Sequence, residues 1–441
     1  MEAQTTDPAT ARRPLRAAPI GSALRPDRAL RDATLGLSLA LAVVLAAGLG
    51  AHLAFGAVPH GGFDPPGVVD RLGGGVRDTL AAPFARWDSV WYLTIARGGY
   101  QAGSGPAFFP LYPLLVAVVG ALGPGLLAAG VLVSLVSLLV ALRLLWRLTE
   151  LEVGHEHPAA PRLAVLAAAL GPMAFFFTAV YSESLFLALS LGAFLAARQG
   201  RWARAGALGA LSSATHSQGL LLVGALALLC FEQRRGVALR LGRSASAPPP
   251  GPRPRRRQAL WLLAIPLGFG AYLGWLWVVG LDPLAPLSLQ KVWYRHYAGP
   301  VDGVVEAARA AVGGARQILA GQTRTIFFPP AGGDPVIAGW HNMLLFVFLL
   351  GTLLPLAGAL RRLPLAYGAY AATAILLAVS YPVAPQPLTS LPRYAVVLFP
   401  LPMAVGVWLA RRPRLRLPVL GASATALAVF TGLFATWHWI A

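Results

Sequence analysis

Charge is scarce in this chain. Asp, Glu, Lys and Arg make up 12% of its 441 residues, about half the share usual in soluble domains, which excludes an ordinary soluble enzyme. Cysteine is nearly absent. Cys230 stands alone, so neither an internal disulfide nor a Cys-based zinc site can form, and its apolar setting suits a buried, inert thiol. Acidic residues are outnumbered, 17 against 36 basic, for a net charge of +19. In a soluble protein that balance would point to nucleic acid. Here the arginines sit in a tail and in loops between apolar runs, where positive-inside topology accounts for them, so no nucleic-acid partner is expected. Lysine occurs once, as Lys291, and no mechanism is drawn from that bias. Also missing are the short alternating strands of an outer-membrane barrel and the internal repeat of inverted-repeat transporters. The first apolar run, from about Thr34, has no clear cleavage site and is expected to remain as a membrane helix rather than a signal peptide.

What is present is apolar. Hydrophobic residues make up 56% of the chain and the mean hydropathy is +0.63. Several runs approach the roughly 20 residues a bilayer-crossing helix needs. The expected class is an all-α, polytopic integral membrane protein of about eleven transmembrane helices, nine at the least, surrounded by membrane lipids. Residues 1–33, rich in Ala, Pro and Arg, read as a disordered cytoplasmic tail, and 34–441 as a single membrane domain. Two large outer loops are expected at 56–106 and 282–335, and a basic, Pro-rich cytoplasmic linker at 232–258. Short amphipathic helices are expected between Val76 and Arg97.

An odd number of crossings must join the first outer loop to the linker. Apolar segments near 108–122, 125–147, 161–180, 182–197 and 205–231 supply five. That alternation places Arg143, Arg147, Arg198, Arg201 and Arg204 outside, against the positive-inside rule. Segments 108–122 and 182–197 are short, and either fits a half-helix; a three-crossing version with two re-entrant pieces moves Ser182-Glu183 outside but still leaves Arg198, Arg201 and Arg204 there. Later helices are expected at 259–281, 336–358, 364–381, 393–410 and 417–439.

The most informative stretch is the aromatic, charged island from Arg86-Trp87-Asp88 through Trp91-Tyr92 to Gly99-Tyr100, followed by Phe109-Pro110-Leu111-Tyr112-Pro113. Ionisable groups held beside lipid are costly and mark function. An aromatic interfacial belt is the plainer reading. These motifs resemble the first outer loop of PIG-V-type mannosyltransferases. Tyr181-Ser182-Glu183-Ser184 resembles that family's Tyr-Ser-Glu-Ser stretch. Asp282-Pro283 with Gln290, Trp293 and Arg295 resembles its Asp-Pro, Gln, Trp-x-Arg loop, and Arg393-Tyr394 through Phe399-Pro400 its late helix. The matches run in family order over about 86–400. One departure is His216, which stands where a basic residue followed by Asn and Gly is expected. The resemblance implies a GT-C membrane fold, a bacterial-type homologue in a cytoplasmic membrane with an extracytoplasmic site, and a polyprenyl-phosphate sugar donor, most simply polyprenyl-phosphate mannose. The acceptor is left open among a lipid-linked glycan, a glycolipid and a protein.

Glycosyl transfer from a lipid phosphate needs a base for the acceptor hydroxyl and positive charge where the leaving phosphate develops its own. One carboxylate with arginines is therefore expected, rather than two carboxylates. Asp88 is the candidate base, with a helix N-cap as its plainer role. Trp87 and Trp91 beside it would lower the local dielectric or stack on sugar. Arg86 and Tyr112 complete that loop's candidates. Arg295, with His296 and Tyr294 nearby, and Arg393, with Tyr394 beside it in sequence, are candidate phosphate ligands because the guanidinium fork binds oxygens in pairs. Snorkelling at a helix end and a solvated loop charge are the alternatives. Glu183 is either a second acid of the site or a helix-start residue. Gln290 and Trp293 are further donor-loop candidates. His155-Glu156-His157 lacks the helical spacing of a zinc site, and no metal or other cofactor is expected. A transporter or flippase stays open as a second class. It would carry its polar groups at helix midpoints.

Overall fold

The computed structural model describes residues 27–57, 75–101, 103, 105–246, 252–321 and 335–440. The expected tail up to residue 26, Pro248–Pro250 of the linker and the Arg324–Pro330 stretch lie outside the described residues. Helices dominate. The described strands are a two-stranded antiparallel ribbon, Ala238–Arg240 with Arg243–Ser246.

Helix α1 spans Arg28–Phe55 and is N-capped by Asp27, whose carboxylate accepts from the Ala29 N–H. The membrane domain thus starts about six residues before the expected boundary at 34. Asp27 also takes Arg143 and Arg147 of α5 (Leu126–Val153) at 2.6 and 3.2 Å. The Arg143 hydrogen bond holds its carboxyl below the ordinary carboxylate range. Short helices α2 (Val76–Ala81) and α3 (Asp88–Gly98) follow α1, as expected between 76 and 97. Then come α4 (Leu111–Gly120), α5, α6 (Ala160–Ala169), α7 (Glu183–Arg198), α8 (Trp202–Ser213) and α9 (Leu222–Arg235). Next are α10 (Ala264–Val278), preceded by a 3-10 turn, the short α11 (Ala285–Ser288) and α12 (Pro300–Ala320). The chain closes with α13 (Pro335–Arg362), α14 (Leu365–Val379), α15 (Leu391–Val396), α16 (Pro400–Ala410) and α17 (Arg416–Ala435). Among the described residues, five stretches are long and apolar enough to cross a membrane: α1, α5, α13, and the segments ending in α10 and α17.

Contacts between helix ends sort the bundle into two poles. At one, the tip of α5 meets the tip of α7 through Glu152 and Arg198. Tyr367 of α14 donates to the same Glu152 oxygen at 2.7 Å. Glu232, at the end of α9, accepts from the N–H groups of Leu239 and Leu365. The Leu241 N–H donates to Leu360 at the end of α13. The linker ribbon is therefore at the same pole as Arg143, Arg147, Arg198, Arg201 and Arg204.

This corrects the expected path between 106 and 232. Tyr112, at the start of α4, touches Gly130 and Ser134 of α5, and Gly120 at its end lies against Leu126. So α4 runs back along the first part of α5 over ten residues and does not pass from pole to pole. The single apolar run 205–231 is instead two helices, α8 and α9, because Ala214–Leu221 breaks into a turn and a 3-10 stretch. Five pole-to-pole passes remain, from α5 to α9, and the arginine conflict disappears. Helix α10 runs parallel to α8 in close contact. A Cβ on Gly268 would fall 1.9 Å from the Ala210 carbonyl oxygen, which only glycine permits.

A core of buried aromatic and aliphatic side chains, including Phe175, Phe177, Phe186, Phe194, Trp202, Tyr367, Tyr370 and Phe399, fills the bundle. A second cluster around Tyr92, Phe108 and Tyr112 seats α3 and α4 at the opposite pole.

Candidate functional site

Asp88 opens α3, and its place is set by a backbone reversal. Trp87 adopts φ 54°, a left-handed conformation uncommon for a bulky residue, and turns the chain from the Ala85-Arg86 segment into the helix. The reversal is fixed from above and below. Tyr181 Oη accepts from the Asp88 N–H at 3.2 Å and donates to the Arg86 carbonyl at 3.1 Å. The Trp87 ring packs edge-on against Trp437 (5.6 Å) and Trp439 (5.2 Å). Asp88 is the first residue inside α3 and makes no capping bond, so the N-cap reading does not hold.

The Asp88 side chain instead takes the Nη1 of Arg393, and the Nε of the same guanidinium goes to Glu183. Three residues far apart in sequence therefore meet, carried by α3, α7 and α15. Glu183, the first residue of α7, is buried to 1% side-chain exposure, while Asp88 keeps 23%. Only Asp88 of the two carboxylates is open to an incoming molecule. The guanidinium lies over the Tyr181 ring at 4.8 Å and beside Phe176 at 5.9 Å, in contact range for cation–π attraction. Helix α15 is six residues long, and Ser390 before it is in the left-handed region (φ 71°). Arg393 is thus at the foot of the final entry into α16, tucked inward rather than snorkelling. Under it, Tyr92 Oη pairs with Ser182 Oγ at 2.9 Å, and burial pushes the Tyr92 phenol up.

Tyr394 extends the site sideways. His216 packs edge-on against its ring at 5.7 Å, and the Arg295 guanidinium lies over it at 5.5 Å. Arg295 reaches there because Tyr294 is left-handed (φ 57°) and residue 295 pairs with Val383 across the 380s turn. Its nitrogens donate to the Thr389 and Tyr381 carbonyls at 3.3 and 3.5 Å. His216 Nδ1 accepts from the Gln218 N–H, so that nitrogen carries no proton. Trp91 stacks on Phe108 (5.7 Å), and Trp293 meets the other edge of Phe108 (6.3 Å). These rings wall the flank of α3 that faces Trp293 and its loop.

Other sequence candidates go elsewhere. Arg86 is fully buried. It bonds Asp78 and the Ala435 carbonyl and lies over Trp437 at 5.0 Å, so it ties the segment from α2 to α3 to the end of α17. Tyr112 is in the core, bonded to Gly130 and Ser134. His296 turns to Glu306 of α12 at 3.5 Å, and Gln290 bonds the Pro286 carbonyl of its own loop. Tyr181 joins the site although the sequence marks it only as part of the Tyr181-Ser182-Glu183-Ser184 motif. Its partners lie more than 90 residues away in sequence, and no local spacing marks such a role.

Comparison with known proteins agrees with the motif resemblance over part of the chain. Residues 61–238 match the family model described as Mannosyltransferase (PIG-V). Asp88 and Glu183 fall inside that segment, Arg295 and Arg393 outside it. The chain is similar to GPI alpha-1,6-mannosyltransferase 2 of Rattus norvegicus, 34% identical over 174 residues, which is 37% of this chain and 34% of that protein. It is likewise similar to the Cricetulus griseus protein of the same name, 36% identical over 177 residues, 37% of this chain and 35% of that one. The match thus spans about a third of the length of these relatives. Among solved structures, the Archaeoglobus fulgidus oligosaccharyltransferase tethered with an acceptor peptide aligns over 95% of this chain and 56% of its own, at 12% identity and a TM-score of 0.42.

Proposed function

We propose that this protein is a membrane glycosyltransferase of the PIG-V type that moves a mannosyl or similar unit from a polyprenyl-phosphate-linked donor to an acceptor hydroxyl at the extracytoplasmic face. The observation that carries the reading is the pairing of Asp88 and Glu183, both within the PIG-V-matched segment, on the one guanidinium of Arg393. The arginine-rich pole is cytoplasmic by the positive-inside rule, which puts the Asp88 pole outside. On this orientation α1, α5 to α10, α13, α14, α16 and α17 cross the membrane, eleven in all, in the GT-C manner that the resemblance implies.

Asp88 acts as the base. Its Oδ2 is held by Arg393, and Oδ1 makes no hydrogen bond among the described residues, so it is free to receive the acceptor proton. The acceptor oxygen then bonds the sugar C1 as the bond from C1 to the phosphate oxygen breaks, and the electron pair leaves on the lipid phosphate. That leaving group needs no proton, only positive charge. Arg295 and the remaining Nη2 of Arg393 supply it beside Tyr394. Glu183 holds the Arg393 fork in register. The charged cluster is at a pole of the bundle and not at helix midpoints, the opposite of what a transporter requires.

The test is transfer of labelled mannose from polyprenyl-phosphate mannose to endogenous acceptors in membranes carrying the protein. Asp88→Asn should reduce transfer by roughly 10²–10⁴ with expression and melting unchanged. Near-normal transfer by that variant would remove Asp88 as base. No transfer by the wild type from any polyprenyl-phosphate sugar would remove the reading altogether.

A further inference from the structure

On the flank of α3 away from Trp91 and Arg295 lies a cavity of about 700 Å³, formed by α2, α3 and the first half of α5. Its walls are apolar, among them Leu80, Phe84, Leu93, Leu127 and Val131. Leu80 and Leu132 of its rim are 59% and 49% exposed. Leu132 continues down α5 into Val136 and Val140, 53% and 45% exposed, a stripe at helical spacing that faces lipid. The lining holds two charged residues, Arg77 and Arg97. Both are exposed, and among the described residues neither makes an ion pair or a hydrogen bond. They stand at the pole opposite the basic one, where positive-inside statistics disfavour them.

We propose that this groove seats an anionic phospholipid of the surrounding bilayer, with one acyl chain against α5 and its phosphate between Arg77 and Arg97. An apolar trough open to the lipid stripe takes the chain, and two guanidinium forks at its mouth, unpaired among the described residues, take the head. The site is distinct from the reacting centre. Arg97 lies nine residues beyond Asp88 on α3, about 14 Å along the helix at 1.5 Å per residue. A phosphate held there is away from the sugar carbon attacked at Asp88. The occupant is a resident lipid that braces α2 and α3 against α5, and the inference stands whether or not the protein transfers sugar.

The test uses the full chain purified with limiting detergent, with phosphatidylglycerol and phosphatidylcholine as probes, and native mass spectrometry to read the lipid retained. Wild type should keep phosphatidylglycerol in preference to phosphatidylcholine. The Arg77→Gln/Arg97→Gln double variant should lose that preference, with retention of phosphatidylglycerol falling roughly tenfold or more, while its melting in pure phosphatidylcholine vesicles stays that of wild type. A second variant, Leu132→Trp, fills the trough without touching the arginines and should lower retention of both lipids. Equal retention of the two lipids by wild type would overturn the proposal. So would a double variant that binds as wild type does, or polyprenyl phosphate displacing phosphatidylglycerol at equimolar ratio, since the groove would then belong to a substrate.

Discussion

A guanidinium divided between two carboxylates is a point where small changes have large effects. Arg393 gives Nη1 to Asp88 and Nε to Glu183, and a planar fork holds the two carboxylates at fixed angles, which the freely rotating donors of an ammonium do not. Arg393→Lys therefore keeps the charge and loses the geometry. We expect it to depress transfer about as far as Asp88→Asn, while Glu183→Gln depresses it less, because the amide still accepts from Nε. A lysine variant with wild-type kinetics would show that charge alone suffices. Tyr181 acts one step back, as a positioning residue. Its hydroxyl spans the Arg86 carbonyl and the Asp88 N–H across the strained Trp87. Tyr181→Phe leaves that N–H without its partner, a cost of about 1–3 kcal/mol for a buried group. We expect a lower kcat with little change in donor KM, read from initial rates at varied donor. A rise in KM alone would assign Tyr181 to binding. Sequence alone singled out Asp88, Glu183 and Arg393, because ionisable residues at membrane edges are conspicuous. It did not single out Tyr181, whose neighbours are set by the fold, and it offered Arg86 and Tyr112 as site residues when their polar atoms are spent on packing.

At the scale of elements, the lock of α5, α7 and α14 at the arginine-rich pole is the structural counterpart of the site. Glu152 and Arg198 are both nearly fully buried, at 0% and 3% side-chain exposure, and Tyr367 donates to the same carboxylate oxygen. Breaking one member leaves an uncompensated buried charge, which costs about 3–5 kcal/mol, whereas replacing the pair with apolar residues can be neutral. Arg198→Leu should thus lower the melting temperature well below that of the Arg198→Leu/Glu152→Leu double variant, measured by thermal unfolding in one detergent. If the double variant is the less stable, the pair is a net stabiliser and the ordering is wrong. Element boundaries show what apolar patterning can and cannot reveal. The long helices were legible because 20 or more apolar residues admit little else. The turn at 214–221 was not, since Thr215-His216-Ser217-Gln218 is too short an interruption to separate one crossing from two. The returning course of α4 was legible only as one of two alternatives, because ten apolar residues fit a half-helix as well as part of a span. The misplaced arginines were the symptom of both.

The whole molecule is polarised. Basic residues gather at the pole with the linker ribbon, and the Asp88–Arg393–Glu183 cluster, α2, α3 and α12 gather at the other. If the positive-inside rule sets the orientation, a label that cannot cross the membrane must distinguish the poles. Cys230 is buried, so a Cys230→Ala background is silent and single cysteines can be placed at will. Gly313, exposed on α12 with open space around it, marks the Asp88 pole. Ala203, exposed at the start of α8, marks the arginine-rich pole, where the earlier five-segment alternation would have put it outside. Gly313→Cys should react with an impermeant maleimide added to intact cells, and Ala203→Cys only after permeabilisation. Labelling of both from outside would mean that α8, α9 and α10 do not alternate between the poles. The reverse pattern would keep the fold and turn the site to the cytoplasm, which would exclude an extracytoplasmic acceptor and leave the arginine distribution to be explained by something other than topology.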